Sequence, residues 1–254
     1  MATAIIGGIL QKGVLAPGEI IASALHQETL SRVSETYGIH TTTDNREAAA
    51  ADIVILAVKP HFYEHVISEI RDVVSDSQII VSIAPGKSIE TISGWFRKTV
   101  KLVRTMPNTP ALVCEGMTAV CASETVTEEE LREVLTLFEA CGKAEVMPER
   151  LVDAVVSVSG SSPAYVFLFI EALADGAVRD GIPRSQAYRL AAQAVLGSAK
   201  MVLETGRHPG ELKDMVCSPA GTTIEAVAAL EKEGFRNAVL SAMEACTEKT
   251  KRMK

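Results

Sequence analysis

Short apolar runs alternate with amphipathic stretches along the first 147 residues of the chain. The apolar runs, each predicted to contain a β-strand, lie at residues 19–23, 51–60, 78–86, 100–110 and 117–123. Helical periodicity covers residues 61–74, 88–98 and 127–140, and Thr127 and Glu130 form a predicted capping box at the start of the last stretch. Strands that alternate with helices predict an α/β, doubly wound parallel sheet covered on both faces.

From about residue 148 the strand pattern stops, and residues 149–254 are predicted to be helical throughout. We therefore predict two domains, residues 1–147 and residues 148–254, docked without a linker. The helix predicted within residues 161–183 is apolar on all sides, which is typical of a helix buried on all sides. Because a helical unit of this size has few interior positions, we expect a second copy of the chain to bury it.

The stretch MATAIIGGIL at residues 1–10 predicts an apolar helix with no strand in front of it. In an alternating pattern a strand is expected at that place. We therefore expect the sheet to lack its first strand, leaving unpaired backbone N–H and C=O groups on the neighbouring strands.

Composition narrows the range of functions. The chain of 254 residues is 47% hydrophobic and carries a net charge of −7, which is unlike a nucleic-acid-binding protein. It has no uninterrupted run of 18 apolar residues and no basic leader, so we expect a cytoplasmic protein with no membrane span.

The sequence carries only weak signals for a metal site or a disulfide. Five cysteines without CxxC spacing indicate free thiols in a reducing compartment rather than disulfides or a zinc site. His61 and His65 are four residues apart, which alone is a weak metal signal, and we predict no metal. No HExxH, GxSxG or Walker motif is present, a pattern that favours hydride transfer, in which a cofactor supplies the chemistry.

Three segments follow predicted strands: AVKP at 57–60, SIAPGKS at 82–88 and RTMPNTP at 104–110. Ligands of doubly wound folds bind where the strands end, and small residues there allow backbone to approach a cofactor. Ordinary strand ends and a stiff connection remain the alternative interpretation.

The end of the second predicted strand bears on the choice of cofactor. NAD sites usually carry a carboxylate there, whereas this chain has Ser23 and Ala24. Ser23 and His26 are candidate donors to a 2′-phosphate, which favours NADP. No arginine follows, so NADH stays open.

The segment CSPAGTTIEA at residues 217–226 opens a predicted helix with a glycine and two threonines. Free N–H groups and hydroxyls at a helix N-terminus are typical of an anion site, for which a substrate carboxylate is the natural ligand. A capped helix without a ligand is the alternative.

Together these segments resemble the pyrroline-5-carboxylate reductase family, and the likeness covers the whole chain. SGSSPAYVFLFIEALADGAVRDGIPR, HPGELKD and CSPAGTTIEA carry it most specifically. The resemblance implies a Rossmann-like domain, a helical domain that forms a dimer, and assembly into dimers or decamers. It also implies reduction of 1-pyrroline-5-carboxylate to L-proline with NADPH or NADH, by hydride transfer to C5 of the protonated imine.

The resemblance also implies site residues. Met1 aligns with the end of a phosphate-binding loop. The other implied cofactor residues are Ser23, Asn45, Ala57, Val58, Lys59, Pro60, Ile83, Ala84 and Pro85. The implied substrate residues are Met106 and Asn108, beside the nicotinamide, and Ser218, Gly221, Thr222 and Thr223, from the partner subunit. Thr223 is the candidate catalytic residue, through a hydrogen bond to the ring nitrogen.

Two departures from the family pattern leave alternatives open. Ala220 stands where the family usually has a glycine, which strains the loop if the position needs positive φ. The strand and glycine loop that open family members are not seen before Met1. The alternatives to an active reductase are a subunit that assembles but is catalytically impaired, and another imine or β-hydroxyacid dehydrogenase of the same architecture.

Overall fold

A computed structural model describes residues 1–252 of the chain. The strands of this described part are β1 (Ile21–Ser23), β2 (His40–Thr42), β3 (Ile53–Leu56), β4 (Ile79–Ser82), β5 (Lys101–Met106), β6 (Gly116–Ala122) and β7 (Gly142–Val146). The α-helices are α1 (Ala2–Gln11), α2 (Gln27–Tyr37), α3 (Asn45–Ala48), α4 (Tyr63–Ile70), α5 (Ile89–Phe96), α6 (Glu128–Glu139), α7 (Glu149–Val155), α8 (Ser162–Arg179), α9 (Arg184–Thr205), α10 (Pro209–Val216), α11 (Thr222–Lys232) and α12 (Phe235–Lys251). One turn of π-helix, Val156–Gly160, joins α7 to α8.

The predicted α/β fold is confirmed, but its strands form two sheets rather than one. One contains β1 and β2, and the other has the order β3-β4-β5-β6-β7. All pairs are parallel except β5 with β6, which is antiparallel because the short connection after Met106 cannot cross over to a parallel neighbour. Among the described residues β1 pairs with β2 alone and β3 with β4 alone.

Helices cover both faces of the larger sheet, as predicted. Along β4, Ile79 and Val81 point to the cluster that α1 and α6 complete, whereas Ile80 points to the cluster of α4 and α5. This alternation buries every residue of the strand. The predicted Thr127–Glu130 capping box is present at the start of α6, with both reciprocal hydrogen bonds formed.

Helix α1 packs tightly against the end of α6. A Cβ atom on Gly8 would lie 2.5 Å from Cys141 Sγ, so only glycine fits at that position. The Cys141 thiol donates to the carbonyl oxygens of Ala4 and Ile5, each at 3.7 Å. Burial raises the pKa of this thiol to about 11. All five cysteines are free, as expected from their spacing.

The chain divides into two compact units. The first comprises Met1–Ser161 together with the chain from Cys246, and the second comprises Ser162–Ala245. The predicted boundary at residue 147 follows the last strand, but α7 and the π turn belong by packing to the first unit, where α7 contacts β5 and β6.

The second unit is helical, and α8 packs along α9. Large apolar side chains stay exposed on it, including Phe167, Leu168 and Leu203. The helical stretch Glu149–Arg179 has the length and the apolar composition of a helix that could cross a membrane. Most of it is not buried within the chain. A single helix of this kind is weak evidence for a membrane span, and the criterion of an uninterrupted apolar run does not detect it.

Candidate functional site

The carboxyl ends of β3, β4 and β5 meet at one edge of the larger sheet, because these strands are parallel. The segments Ala57–Pro60 and Ile83–Pro85 and the side chain of Met106 follow these ends. The structure thus places three of the predicted groups of site residues together. Apart from Lys59 these side chains are apolar, and they lie at the edge where doubly wound folds bind ligands.

Tyr63 connects two of these loops from beneath. Its hydroxyl donates to the Leu56 carbonyl at 2.5 Å and accepts hydrogen bonds from Ser82 Oγ at 3.2 Å and from the Ile83 N–H at 3.3 Å. The ring is fully buried, and this burial raises the pKa of the phenol to about 12. Tyr63 therefore fixes the end of β3 relative to the end of β4.

A second network holds the predicted ribose side of the site. Ser23 Oγ at the end of β1 donates to Asn45 Oδ1 at 2.8 Å, and Asn45 Nδ2 donates to Glu69 Oε2 at 2.6 Å. The other oxygen of Glu69 lies 3.2 Å from His65 Nε2. Two predicted cofactor residues are thereby brought together, and α4 supplies the carboxylate that orients Asn45.

The first turn of α1 has the character of an anion site. Met1 is the N-cap residue, no side chain caps the helix, and its first turn carries no acidic residue. These uncapped donors, the Ser23–Asn45 pair and a β1 end without a carboxylate fit a dinucleotide that bears a 2′-phosphate. His26, the other predicted phosphate donor, is an exposed N-cap residue of α2.

Asn108 braces the connection after β5. Its Oδ1 accepts from the Met117 N–H at 2.9 Å, and its Nδ2 donates to the Ser159 carbonyl of the π turn at 3.0 Å. Gly160 of the same turn lies against Met106, where an added Cβ would be 3.2 Å from the methionine methyl group. Within this unit Met106 and Asn108 thus contact the start of the segment that leads into α8.

A buried arginine anchors α7 to the sheet. The Arg104 guanidinium on β5 pairs with Glu149 at 3.1 Å and with Asp153. Glu149 Oε1 also accepts from the Ile89 N–H at 2.7 Å, at the start of α5. One cation thus joins the strand that carries Met106 to the helix that precedes the π turn. The Nε atom of Arg104 is buried and has no hydrogen-bond partner among the described residues.

The predicted carboxylate-binding residues lie together in the second unit. Gly221 is the N-cap of α11, Thr222 and Thr223 are its first two residues, and no side chain caps the helix. A Cβ atom on Gly221 would lie 2.3 Å from Ser218 Oγ, so the serine hydroxyl covers this glycine. The first turn thus has two threonine hydroxyls and no side-chain cap, and it also carries Glu225.

Sequence reasoning missed the supporting residues Tyr63, Glu69, Arg104 and Ser159. Tyr63 and Glu69 lie on a predicted amphipathic helix, where a buried hydroxyl and a partly buried carboxylate give no separate pattern. Arg104 stands inside an apolar run, and a charge in a buried strand is the one signal that could have marked it.

Comparison with known proteins agrees with this geometry. Residues 149–253 match the family model for pyrroline-5-carboxylate reductase dimerisation, and residues 1–86 match a model described as NADP oxidoreductase, coenzyme F420-dependent. The chain is 49% identical to the pyrroline-5-carboxylate reductase of Escherichia coli over all of its 254 residues, which span 94% of that protein.

Solved structures extend the likeness to three dimensions. A pyrroline-5-carboxylate reductase from Coxiella burnetii superposes with a TM-score of 0.92 at 35% identity, over 100% of this chain and 94% of that one. The Plasmodium falciparum pyrroline carboxylate reductase, crystallised with NADP bound, superposes with a TM-score of 0.89 at 31% identity. The superposition covers 99% of this chain and 93% of that one. The fold, the arrangement of strand ends and the similarity across both units lead to one conclusion: the chain belongs to the pyrroline-5-carboxylate reductase family.

Proposed function

We propose that this protein reduces 1-pyrroline-5-carboxylate to L-proline, the last step of proline biosynthesis. The observation that carries the proposal is the similarity of the whole chain, 49% identical over all 254 residues, to a reductase of that name. Similarity of this extent favours an active reductase over an impaired subunit and over a dehydrogenase for another substrate.

The cofactor is NADP, with NADPH as the preferred reductant and NADH as the secondary one. When bound, it supplies the hydride. Ser23 and Asn45, which are hydrogen-bonded to each other, are proposed to hold the ribose and its 2′-phosphate. The start of α1 at Met1 is proposed to hold the pyrophosphate. The remaining proposed contacts are backbone and apolar surface from Ala57, Val58, Lys59, Pro60, Ile83, Ala84 and Pro85. The NADP-bound Plasmodium relative supports this assignment.

The substrate carboxylate is held at the start of α11. Ser218, Thr222 and Thr223 offer hydroxyl and N–H donors there, and the helix dipole favours an anion. Gly221 is proposed to line this site as the N-cap residue, without a side chain of its own. Fixing the carboxylate also fixes which face of the ring receives the hydride at C5. Met106 and Asn108 are proposed to shape the nicotinamide side, Met106 by contact and Asn108 through its bond to the π turn.

Thr223 is the proposed catalytic residue. The protonated imine is the better electrophile, and the Thr223 hydroxyl oxygen can accept the hydrogen bond of its N–H group. This bond holds the ring and favours the charged form of the substrate over the neutral one. No other proton donor or acceptor is required, since the iminium form already carries the proton that remains on the product nitrogen.

The protein is a homo-oligomer that takes a small-molecule substrate, and the match of residues 149–253 to a dimerisation model supports this. We propose that the dimer forms through the helical segment, residues 148–254, and that dimers assemble further into a decamer. The exposed apolar side chains of α8 and α9 are then interface rather than membrane surface. We also propose a cytoplasmic location and no nucleic-acid or membrane partner.

The test is oxidation of NADPH by the purified chain with 1-pyrroline-5-carboxylate. Thr223→Ser should keep most of the activity, whereas Thr223→Ala should lower kcat/KM by about 10- to 100-fold, the loss expected for one hydrogen bond to a charged group. If Thr223→Ala equals the wild type, the catalytic role of Thr223 is wrong. If the wild type oxidises no NADPH with this substrate while the folded oligomer is intact, the impaired-subunit alternative replaces the proposal.

A further inference from the structure

The loop in front of α11 contains a strained residue. Ala220 has φ of +54°, one of three non-glycine residues with positive φ in the described chain. An L-residue in this region of backbone space is disfavoured relative to glycine, because its Cβ approaches neighbouring backbone.

The geometry identifies the turn type. The Gly221 N–H donates to the Ser218 carbonyl at 3.0 Å, which closes a four-residue turn with Pro219 and Ala220 at its centre. Proline cannot adopt positive φ, so a positive φ at the following residue defines a type II turn. Type II turns require positive φ at their third residue and usually have glycine there.

The same four residues can form a type I turn without strain. Type I keeps the bond between Ser218 and Gly221, favours proline at the second position and gives Ala220 an ordinary negative φ. The two forms differ by rotation of the Pro219–Ala220 peptide, which exchanges the sides on which its C=O and N–H groups point. Ser218, Pro219 and Ala220 are exposed, so little packing within the unit opposes this rotation.

We propose that Ala220 is a positioning residue that sets substrate affinity through this peptide rotation. The type II form, present in the structure, is the form that binds the carboxylate beside Thr222 and Thr223, and the free protein also populates the type I form. Substrate binding selects type II, so the measured affinity is reduced by the fraction of molecules that already have it. This inference rests on the proposed function and adds to it a residue that tunes affinity without touching the reacting atoms.

The test is a graded series at one position. Tolerance of positive φ falls from glycine through asparagine and alanine to valine. We expect Ala220→Gly to lower the KM for 1-pyrroline-5-carboxylate about threefold, Ala220→Asn to lower it less, and Ala220→Val to raise it about fivefold or more, with kcat nearly constant. L-proline affinity, measured by calorimetry without turnover, should follow the same order.

Arg97→Gly is the matched control. Arg97 also has positive φ, at +57°, but it is an exposed residue that ends α5 and takes no part in the proposed site. We expect Arg97→Gly to stabilise the protein against urea as Ala220→Gly does, and to leave KM and L-proline affinity unchanged.

The outcomes separate the two proposals. If the wild type reduces the substrate but KM and L-proline affinity are equal across the Ala220 series, the peptide rotation is wrong and the function stands. If no variant reduces the substrate but L-proline affinity follows the order, the turn proposal stands and the reductase function fails. If neither activity nor L-proline binding is found, both proposals are overturned.

Discussion

The Tyr63 hydroxyl donates a hydrogen bond of 2.5 Å to the Leu56 carbonyl, at the point where β3 ends and the first proposed cofactor loop begins. The same oxygen accepts the N–H of Ile83, the first residue of the second loop. One buried phenol thus sets the spacing of two loops that are proposed to line the dinucleotide.

Replacing Tyr63 with phenylalanine should weaken cofactor binding. Tyr63→Phe keeps the ring but leaves the Leu56 carbonyl and the Ile83 N–H without their partner, so the free energy of unfolding should fall by about 1–3 kcal/mol. We expect a several-fold rise in the KM for NADPH with little change in the KM for substrate, measured by steady-state kinetics and urea unfolding. Tyr188→Phe, which alters a partly exposed ring in the helical unit, is the control and should leave the NADPH value unchanged.

Stability should decline at alkaline pH because of two buried acids. Burial raises the pKa of Tyr63 from 10.0 to about 12 and that of Cys141 from 9.0 to about 11. Both groups ionise more readily in the unfolded chain than in the folded one. Their contribution to the free energy of unfolding is therefore complete below about pH 9 and is lost as the pH rises toward 12. Urea midpoints measured between pH 8 and pH 11 should therefore fall more steeply for the wild type than for Tyr63→Phe or Cys141→Ala. Equal slopes in the three proteins would contradict this explanation.

Removing the charge of Arg104 should lower the free energy of unfolding more than removing the charge of Lys101 on the same strand. Arg104→Met removes the cation that pairs with both Glu149 and Asp153, and we expect a loss of about 2–4 kcal/mol in the free energy of unfolding. Lys101→Met breaks the more exposed pair with Glu130 and should cost about 1 kcal/mol or less.

A double variant distinguishes charge from packing at this site. Adding Asp153→Asn to Arg104→Met removes one of the two carboxylates that lose this cation and should restore part of the stability. If the double variant is no more stable than Arg104→Met, lost packing of the arginine stem explains the effect rather than unpaired charge.

The sequence predicted the strands that carry strong apolar runs, because burial on two faces leaves a continuous hydrophobic signal. Strand β2 (HTT) and strand β7 (GKAEV) were missed, since both are short or polar and are recognisable mainly by their partners. The antiparallel pairing of β6 was missed for a related reason: pairing direction depends on the path of the connection, which hydrophobic periodicity does not encode.

The site followed the same division. The positions of the proposed site residues at strand ends and at the start of α11 could be predicted, because glycine, proline and threonine at those positions have a local meaning. Their roles stay predictions. The bonds from Tyr63 to Leu56 and from Asn108 to Ser159 join positions 7 and 51 residues apart. Such bonds depend on packing between elements, and no local pattern indicates them.

The contact between Gly8 and Cys141 gives the protein an internal reporter. The thiol is 2% exposed and lies beneath α1, so a water-soluble alkylating reagent can reach it only after this helix has moved away. The rate at which the peptide containing Cys141 is alkylated then reports how often α1 opens locally. This helix is the one whose start is proposed to hold the pyrophosphate. A dinucleotide that binds there should lower the alkylation rate of Cys141, whether or not any hydride is transferred.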